Sequence, residues 1–355
     1  MAENKRTLII GGGIAGLTVA SQLADRNLSS IIVEKESALG GHLKSHYSLF
    51  PHQQKASEFL EEALKQIQDN SNVEVLTNSV VKDISGEAGT YNVKIETGTG
   101  EGDAQAQSLE VGTIVIATGF EGMDANTLHE YSYTQHKNVI TGLEFEELLN
   151  DAKSNGKPLG RPSDNSAPQN ATVVLCTGSR DEKFNEFCCE VGCRAGLNHA
   201  YQLKDMFGDA IQVFLCYIDV RATGRDNEVF YTNVREKDVH LVRGRPSEIS
   251  KIDDNFARFI IFDQITHKLL QIESDLIILE TALVPNSTQG ALNEMMSLET
   301  DDTGFLSASN YFQPVESSSS GIYIAGTASG PRDVPGTIAN AALTAATIAK
   351  QIMGE

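Results

Sequence analysis

Residues 8–34 read LIIGGGIAGLTVASQLADRNLSSIIVE, and this stretch decides the fold. An apolar run precedes the pattern G-x-G-x-x-G at Gly11, Gly13 and Gly16, and helical spacing and a second apolar run ending at Glu34 follow. In a strand–turn–helix–strand unit, such glycines allow a tight turn, close approach to a pyrophosphate and close helix packing. The helix amides favour phosphate, and the final acid accepts hydrogen bonds from an adenosine ribose. The stretch therefore predicts a dinucleotide-binding unit.

Further segments extend this predicted cofactor site. The pair Gly40-Gly41 would let backbone pass close to a large planar cofactor, although an ordinary turn has the same composition. The buried strand predicted over Val111–Ala117 ends in small residues, which is typical of the point where flavoproteins cross between dinucleotide domains. The candidate cofactor-binding residues in this half of the chain are Gly11, Gly13, Ile14, Ala15, Gly16, Glu34, Lys35, Gly40, Gly41, His42, Val81, Ala117, Thr118 and Gly119.

The last part of the chain is predicted to return to this first domain. Gly321–Thr327 has the pattern of a strand that stops at small residues, and Ile338–Met353 that of an alanine-rich helix. Pro335 suits the first turn of this helix. The amide end of such a helix lies near the pyrimidine edge of a flavin and stabilises its anionic reduced form. The candidate residues here are Gly326, Thr327, Pro335, Gly336 and Thr337.

The order of segments predicts an α/β protein with two dinucleotide-binding-type (Rossmann-like) domains, the second inserted into the first. Residues 1–122 and 285–355 are predicted to form the FAD-binding domain, and residues 171–284 the inserted module. Residues 123–170 are predicted to connect them, because Ser154–Asn170 is rich in Gly, Pro, Ser and Asn.

The charge balance restricts the partners. The 355 residues carry 48 acids against 28 bases, a formal charge of −20. This argues against nucleic acid and anionic membrane surfaces, which basic patches recognise. No apolar run approaches the roughly 18 residues that span a bilayer, and the first residues lack the apolar core of a signal peptide. We therefore expect a cytoplasmic protein.

Four of the five cysteines are concentrated in one stretch, with the spacing C-x11-C-C-x3-C. An iron–sulfur cluster is the favoured interpretation, because it tolerates irregular spacing and suits a flavin partner. A structural zinc and buried small side chains are the alternatives, while a redox dithiol is disfavoured because Cys-x-x-Cys is absent. Cys216, in an apolar strand, is interpreted as core. The candidate metal ligands are Cys176, Cys188, Cys189 and Cys193.

Beyond these patterns, the chain resembles the flavin-carrying A subunit of heterodisulfide reductase over nearly its whole length. The resemblance implies a thioredoxin-reductase-like flavoprotein that binds FAD and one [4Fe-4S] cluster and works in a complex with other subunits. The segments that carry it are Gly11–Gly16, Gly40-Gly41, Asn138–Thr141, Arg161–Asp164, Cys176–Glu182, Tyr217–Arg221, Val242–Arg245, Ala325–Thr327 and Pro331–Pro335.

Three departures from the family pattern matter. The additional cysteine groups of methanogen-type A subunits are absent, so the chain is similar to the short form of bacterial sulfur-oxidising complexes. The family cysteines commonly end C-x3-C-C, whereas here Gly192 stands at an expected ligand position and Cys189 must substitute. Asn198 stands where the family often has a lysine near the flavin, and it is included among the candidate cofactor residues.

Together, these features predict an oxidoreductase subunit with FAD and a [4Fe-4S] cluster, in a heterodisulfide-reductase-like complex of sulfur metabolism. The flavin is predicted to be the reaction centre, without a catalytic side chain, and the chain is expected to form a homodimer. One alternative is a pyridine-nucleotide-dependent flavoprotein disulfide reductase. The other is a flavin-containing scaffold with a structural zinc.

Overall fold

The computed structural model describes residues 6–98 and 105–354. The polar turn predicted over Gly98–Gln107 lies mostly outside the described residues, and the chain is already in a strand at Gln105. No helix of the described ranges is long and apolar enough to cross a membrane.

Strands and helices alternate along the described residues. The helices are α1 (Ile14–Ala24), α2 (Ala56–Lys65), α3 (Gly142–Asn155), α4 (Gly192–Phe207), α5 (Arg225–Glu236), α6 (Gln289–Met296) and α7 (Val334–Met353). The strands are β1 (Thr7–Ile10), β2 (Ser30–Val33), β3 (Ser48–Leu49), β4 (Gln54–Lys55), β5 (Val73–Leu76), β6 (Ser79–Ser85), β7 (Tyr91–Thr97), β8 (Gln105–Val111), β9 (Thr113–Ile116), β10 (Phe120–Gly122), β11 (Val139–Thr141), β12 (Asn170–Thr177), β13 (Gln212–Tyr217), β14 (His240–Arg243), β15 (Ile249–Lys251), β16 (Ala257–Asp263), β17 (Lys268–Ser274), β18 (Leu276–Thr281), β19 (Leu283–Pro285) and β20 (Ile322–Ile324).

The chain divides into two compact units, and the second is inserted into the first. As far as they are described, residues 1–44, 57–121 and 284–355 form unit 1, and residues 45–56 and 122–283 form unit 2. The stretch 123–170, predicted as a connection, lies within unit 2, because β11 pairs with β18 in its sheet.

Unit 1 is built on a parallel sheet with the strand order β20-β9-β1-β2-β5. Its central strand β1 is paired on both sides, so Leu8 lies opposite Ile31 and Ile114. These strands are apolar runs buried at every position, as expected for a parallel sheet covered on both faces. Helices α1 and α7 pack together in this unit. The antiparallel sheet β6-β7-β8 contributes alternating side chains to the same core.

Unit 2 repeats the architecture with the parallel order β11-β18-β12-β13-β14. Helices α3 and α4 pack against its strands, and α4 also contacts α5. The antiparallel sheet β15-β16-β17 belongs to the same unit.

The helix predicted over Pro51–Gln68 is wrong at its start. Helix α2 begins only at Ala56, and the preceding residues form the β3–β4 hairpin. The reason is long-range hydrogen bonding within unit 2, where the Gln53 side-chain amide donates to Asn198 Oδ1 at 2.8 Å and the Asn198 amide donates to the Ser48 carbonyl at 3.3 Å.

Helix α5 was not predicted. Its sequence is mostly polar, and only Phe230 and Val234 are buried, so it has too few apolar positions to reveal a helical period.

Candidate functional site

The predicted cofactor residues of unit 1 meet at the carboxyl edge of its parallel sheet. The glycine turn follows β1, Glu34 follows β2, Ala117 follows β9 and Ala325 follows β20. Because parallel strands end at a common edge, residues far apart in the sequence come together here, where α/β sheets bind their ligands.

Two glycines of the turn have no room for a side chain. Gly11 has φ of +111°, and a Cβ built on it would lie 2.3 Å from the carbonyl oxygen of Ala117. A Cβ on Gly16 would lie 2.0 Å from the carbonyl oxygen of Gly11. The glycine pattern is therefore imposed by close backbone packing between β1, α1 and the end of β9.

Glu34 fixes the turn with its carboxylate. Its Oε2 accepts a hydrogen bond from the Gly12 N–H at 2.7 Å, and its Oε1 accepts one from the Glu36 N–H at 2.9 Å. The side chain is only 7% exposed. The predicted ribose acceptor is thus also held against the phosphate turn, and the neighbouring Lys35 is exposed.

The second glycine pair lies directly on the first turn. A Cβ on Gly41 would lie 3.1 Å from the Cα of Gly13. His42 is held beside it, because its ring stacks on Phe120 at 4.4 Å and its Nε2 lies 2.9 Å from the Phe120 carbonyl oxygen. This juxtaposition gives a surface of bare backbone.

The C-terminal candidates also reach this edge. The N–H of Gly326 donates to Asn340 Oδ1 at 2.6 Å, and a Cβ on Gly326 would lie 2.6 Å from that of Ala15. Helix α7 starts nearby, with Asp333 accepting a hydrogen bond from the Gly336 N–H at 2.8 Å. Thr337 packs within the same group, 3.1 Å from the Cβ position of Gly326, and Pro335 is exposed in the first turn.

The remaining candidates are placed around the same edge. A Cβ on Gly119 would lie 3.9 Å from Thr327 Oγ1. The Thr118 hydroxyl is buried and has no hydrogen-bond partner among the described residues. Val81 lies half-buried in β6, two residues after Ser79, whose N–H donates to the Glu34 carbonyl at 2.9 Å. The bare backbone and the free hydroxyl fit a bound dinucleotide cofactor.

Unit 2 has a different connection at the corresponding edge. In unit 1 three residues join β1 to α1, whereas residues 178–191 join β12 to α4. Cys176 lies near the end of β12 with φ of +60°, and Cys193 lies at the start of α4. Cys188 is half-buried on the connecting loop, and Cys189 is buried. We call the four residues Cys176, Cys188, Cys189 and Cys193 the thiol cluster.

The doublet has one acidic thiol. A hydrogen bond from Cys189 lowers the pKa of Cys188 to about 5; burial opposes this, and the Glu190 N–H and Arg221 assist it. The same interaction, followed by burial, raises the pKa of Cys189. Burial also raises the pKa of Cys176, and that of Cys193 to about 11.

Arginines surround the thiol cluster. Arg180 hydrogen bonds to Asp219 at 2.5 Å and also lies beside the Cys176 thiol. Arg245 pairs with Asp181 at 2.6 Å and donates to the Cys176 carbonyl at 3.4 Å. These guanidinium groups favour negative charge on sulfur.

Gly192 and Cys189 converge on one point. A Cβ on Gly192 would lie 2.8 Å from the Cys189 Sγ. The Cys189 thiol therefore lies where a side chain on residue 192 would project. This agrees with the expectation from the sequence that Cys189 takes the place of a ligand at position 192.

A metal centre needs a suitable donor set and a closed arrangement. The set of thiols beside arginines fits an iron–sulfur cluster in its chemistry, and the buried Ser179 hydroxyl of the same loop lacks a hydrogen-bond partner within the described ranges. No three His, Cys, Asp or Glu side chains of the described residues surround one point as ligands of a metal ion.

Asn198 lies in unit 2 and is 1% exposed. Its amide is engaged within that unit, accepting from Gln53 and donating to the Ser48 carbonyl. Its predicted role beside a flavin stays a prediction.

A buried acid–imidazole group was missed by the sequence reasoning. His199 Nδ1 lies 2.6 Å from Glu280 Oε1, and its Nε2 lies 2.9 Å from Glu146 Oε1. All three side chains are buried. The only signal in the sequence is Glu280, an acid that directly follows the apolar run of β18. We call Glu146, His199 and Glu280 the carboxylate–imidazole triad.

The charges of the triad support one another. Burial disfavours the His199 cation, but Glu280 and Glu146 outweigh it and raise the pKa to about 10. For Glu146 burial acts upward, yet the His199 hydrogen bond and the nearby His46 bring the pKa below its usual range. An imidazolium between two carboxylates is the stable form at neutral pH.

We expect the stabilisation due to the His199 charge to be lost at alkaline pH. The folded-state pKa of about 10 exceeds the ordinary histidine value of 6.5, so the contribution is full below pH 6.5 and disappears towards pH 10. Urea unfolding of the native chain and His199→Gln across this range measures it. The difference in unfolding free energy should shrink as pH rises, and a growing difference would contradict the assignment.

With the geometry established, comparison with known proteins defines the class. A family model described as pyridine nucleotide-disulphide oxidoreductase matches residues 5–174. A thioredoxin reductase of T. acidophilum covers 98% of this chain and 99% of its own with a TM-score of 0.67 at 14% identity. One from Lactococcus lactis covers 99% and 100% with a TM-score of 0.64 at 15% identity. The predicted fold class, an α/β fold with two dinucleotide-binding-type domains, is confirmed.

The chain belongs, within this class, to the family of heterodisulfide reductase A subunits. The iron-sulfur A subunit of a CoB–CoM heterodisulfide reductase from Methanopyrus kandleri is 30% identical, over 94% of this chain and 62% of that protein. The A subunit of the H2:CoB-CoM heterodisulfide, ferredoxin reductase from Methanothermobacter thermautotrophicus is 29% identical, over 98% and 64%. The chain thus spans less than two thirds of these relatives.

Proposed function

We propose that this chain is an electron-transfer oxidoreductase subunit that carries FAD in unit 1 and a [4Fe-4S] cluster on the thiol cluster of unit 2. The observation that carries the proposal is the contrast between the two units. Unit 1 keeps a three-residue glycine turn after β1, whereas in unit 2 residues 178–191, with two of the cysteines, follow β12.

The FAD assignment is supported by the residues that converge on the carboxyl edge of unit 1. Gly11, Gly13 and Gly41 supply bare backbone, Glu34 lies beside the turn, and α7 starts nearby. FAD would supply two-electron chemistry there.

The cluster assignment is supported by the thiol chemistry of unit 2. An all-thiolate donor set suits an iron–sulfur cluster, which would supply one-electron transfer, and Arg180 and Arg221 offset its negative charge. A structural zinc is the competing occupant.

Anaerobic purification tests both assignments together. We expect bound flavin, close to four irons per chain as the proposed [4Fe-4S] cluster requires, and a broad visible absorbance that dithionite bleaches. Zinc with no iron after reconstitution would exclude the cluster, and apoprotein without affinity for FAD would exclude the flavin site.

We further propose that the chain works with other subunits of a heterodisulfide-reductase-like complex in sulfur metabolism, as a homodimer. The names of its relatives support the partner proposal. Size determination with and without candidate partner subunits tests it.

NADH and NADPH are not expected to reduce the flavin directly. The loop 178–191 replaces the short turn that would hold the pyrophosphate, and Asp181 adds negative charge. Anaerobic stopped-flow mixing with excess NADH should leave the flavin oxidised, with dithionite as the positive control. Flavin bleaching within seconds would instead favour a pyridine-nucleotide-dependent disulfide reductase.

A further inference from the structure

We propose that the carboxylate–imidazole triad is a proton-binding site that takes up a proton when the thiol cluster of the same unit gains an electron. The inference rests on the proposed function, since it requires a redox centre on the cysteines. The triad itself has no part in binding that centre.

The triad holds excess negative charge in the interior. Both ring nitrogens of His199 face carboxylate oxygens, so both carry hydrogen, and the three groups together have a charge of −1. The free oxygen of Glu146 accepts from the Tyr47 N–H at 3.0 Å, and His46 adds positive charge nearby. A buried group with this composition can accept one proton and become neutral.

The packed elements around the triad contribute few other charges. Helix α3 supplies Glu146 together with the Phe145 ring, whose edge contacts His199 at 5.0 Å. Strand β18 supplies Glu280, and the segment before β3 supplies His46. Helix α4 carries His199 itself and begins at the thiol cluster.

The triad adjoins the thiol cluster. A Cβ on Gly192 would lie 2.8 Å from the Cys189 Sγ and 3.7 Å from the Glu280 Cβ, so these two atoms lie no more than 6.5 Å apart. The backbone agrees, since Thr177, which follows Cys176, pairs with Thr281, which follows Glu280. At this separation in a poorly solvated interior, charge on one site changes the proton affinity of the other.

The coupled step balances simply. One electron from an external one-electron donor adds one negative charge at the thiol cluster. One proton from water forms an O–H bond with a carboxylate of Glu146 or Glu280, and no other bond is made or broken. Unit 2 therefore keeps its total charge.

Potentiometry of the reconstituted chain tests this coupling. Dithionite titrations, followed by electron paramagnetic resonance of the cluster, give its midpoint potential at several pH values. We expect the potential to fall with pH, approaching about 59 mV for each tenfold change in proton activity. Glu146→Gln, which removes one proton acceptor, should lose most of this slope while keeping its iron.

Glu144→Gln is the matched control, because Glu144 lies on the same helix and forms its capping box with Thr141. It should keep the full slope. A flat potential in the native chain, or an unchanged slope in Glu146→Gln, overturns the inference; if that variant fails to fold, Glu280→Gln replaces it. A chain that binds no cluster yields no signal, which is failure of the proposed function instead.

Discussion

Replacing Cys189 with alanine is expected to abolish the iron content while the flavin stays bound. Cys189 is buried at the start of α4, and its thiol is hydrogen bonded to that of Cys188. Loss of one of four thiolates leaves an incomplete donor set for the proposed cluster. Iron assay and visible spectra after anaerobic reconstitution measure the change. Cys216→Ala is the control, because Cys216 is wholly buried in β13 and should retain full iron.

The double variant Cys189→Ala/Gly192→Cys should regain iron. A side chain on residue 192 starts 2.8 Å from the Cys189 Sγ, so a thiol attached there reaches the same region, and the alanine removes the clash. Full iron in Cys189→Ala alone would show that Cys189 is not a ligand. No recovery in the double variant would show that the two positions are not equivalent.

The sequence predicts the parts of the site that depend on local patterns. The glycine spacing between Gly11 and Gly16 and the closing Glu34 lie in one continuous stretch, so a single motif identifies strand, turn and helix. The small residues at Ala117 and Gly326 mark the ends of two more strands at the same edge. Contacts such as that of Gly11 with the Ala117 carbonyl follow from the parallel order of the sheet.

Features that depend on long-range contacts are not predictable in this way. His199 meets its partners 53 and 81 residues away, and neither Glu146 nor Glu280 belongs to a recognisable pattern. The β3–β4 hairpin likewise depends on hydrogen bonds from Gln53 and Ser48 to helix α4, so its local sequence resembles a helix start. The approach of Cys189 to position 192 needs the actual backbone of the loop.

The second large effect is expected from Gly11→Ala, which should unfold unit 1 or abolish flavin binding. Its φ of +111° strains an alanine, and the added Cβ would lie 2.3 Å from the Ala117 carbonyl oxygen, a backbone atom that cannot move without shifting β9. Strain alone costs about 1–3 kcal/mol. The additional overlap should bring the loss above about 4 kcal/mol, as in the most damaging substitutions.

Gly330→Ala separates the two causes, because Gly330 has a similar φ of +123° but nothing lies within 4 Å of its Cβ position. It should lose only the strain contribution and keep its flavin. Thermal unfolding and flavin fluorescence of the two variants give the comparison. Equal losses would mean that backbone strain, and not the approach to Ala117, requires glycine at position 11. A much larger loss for Gly11→Ala means that the end of β9 packs directly against the cofactor turn, where only a residue without a side chain fits.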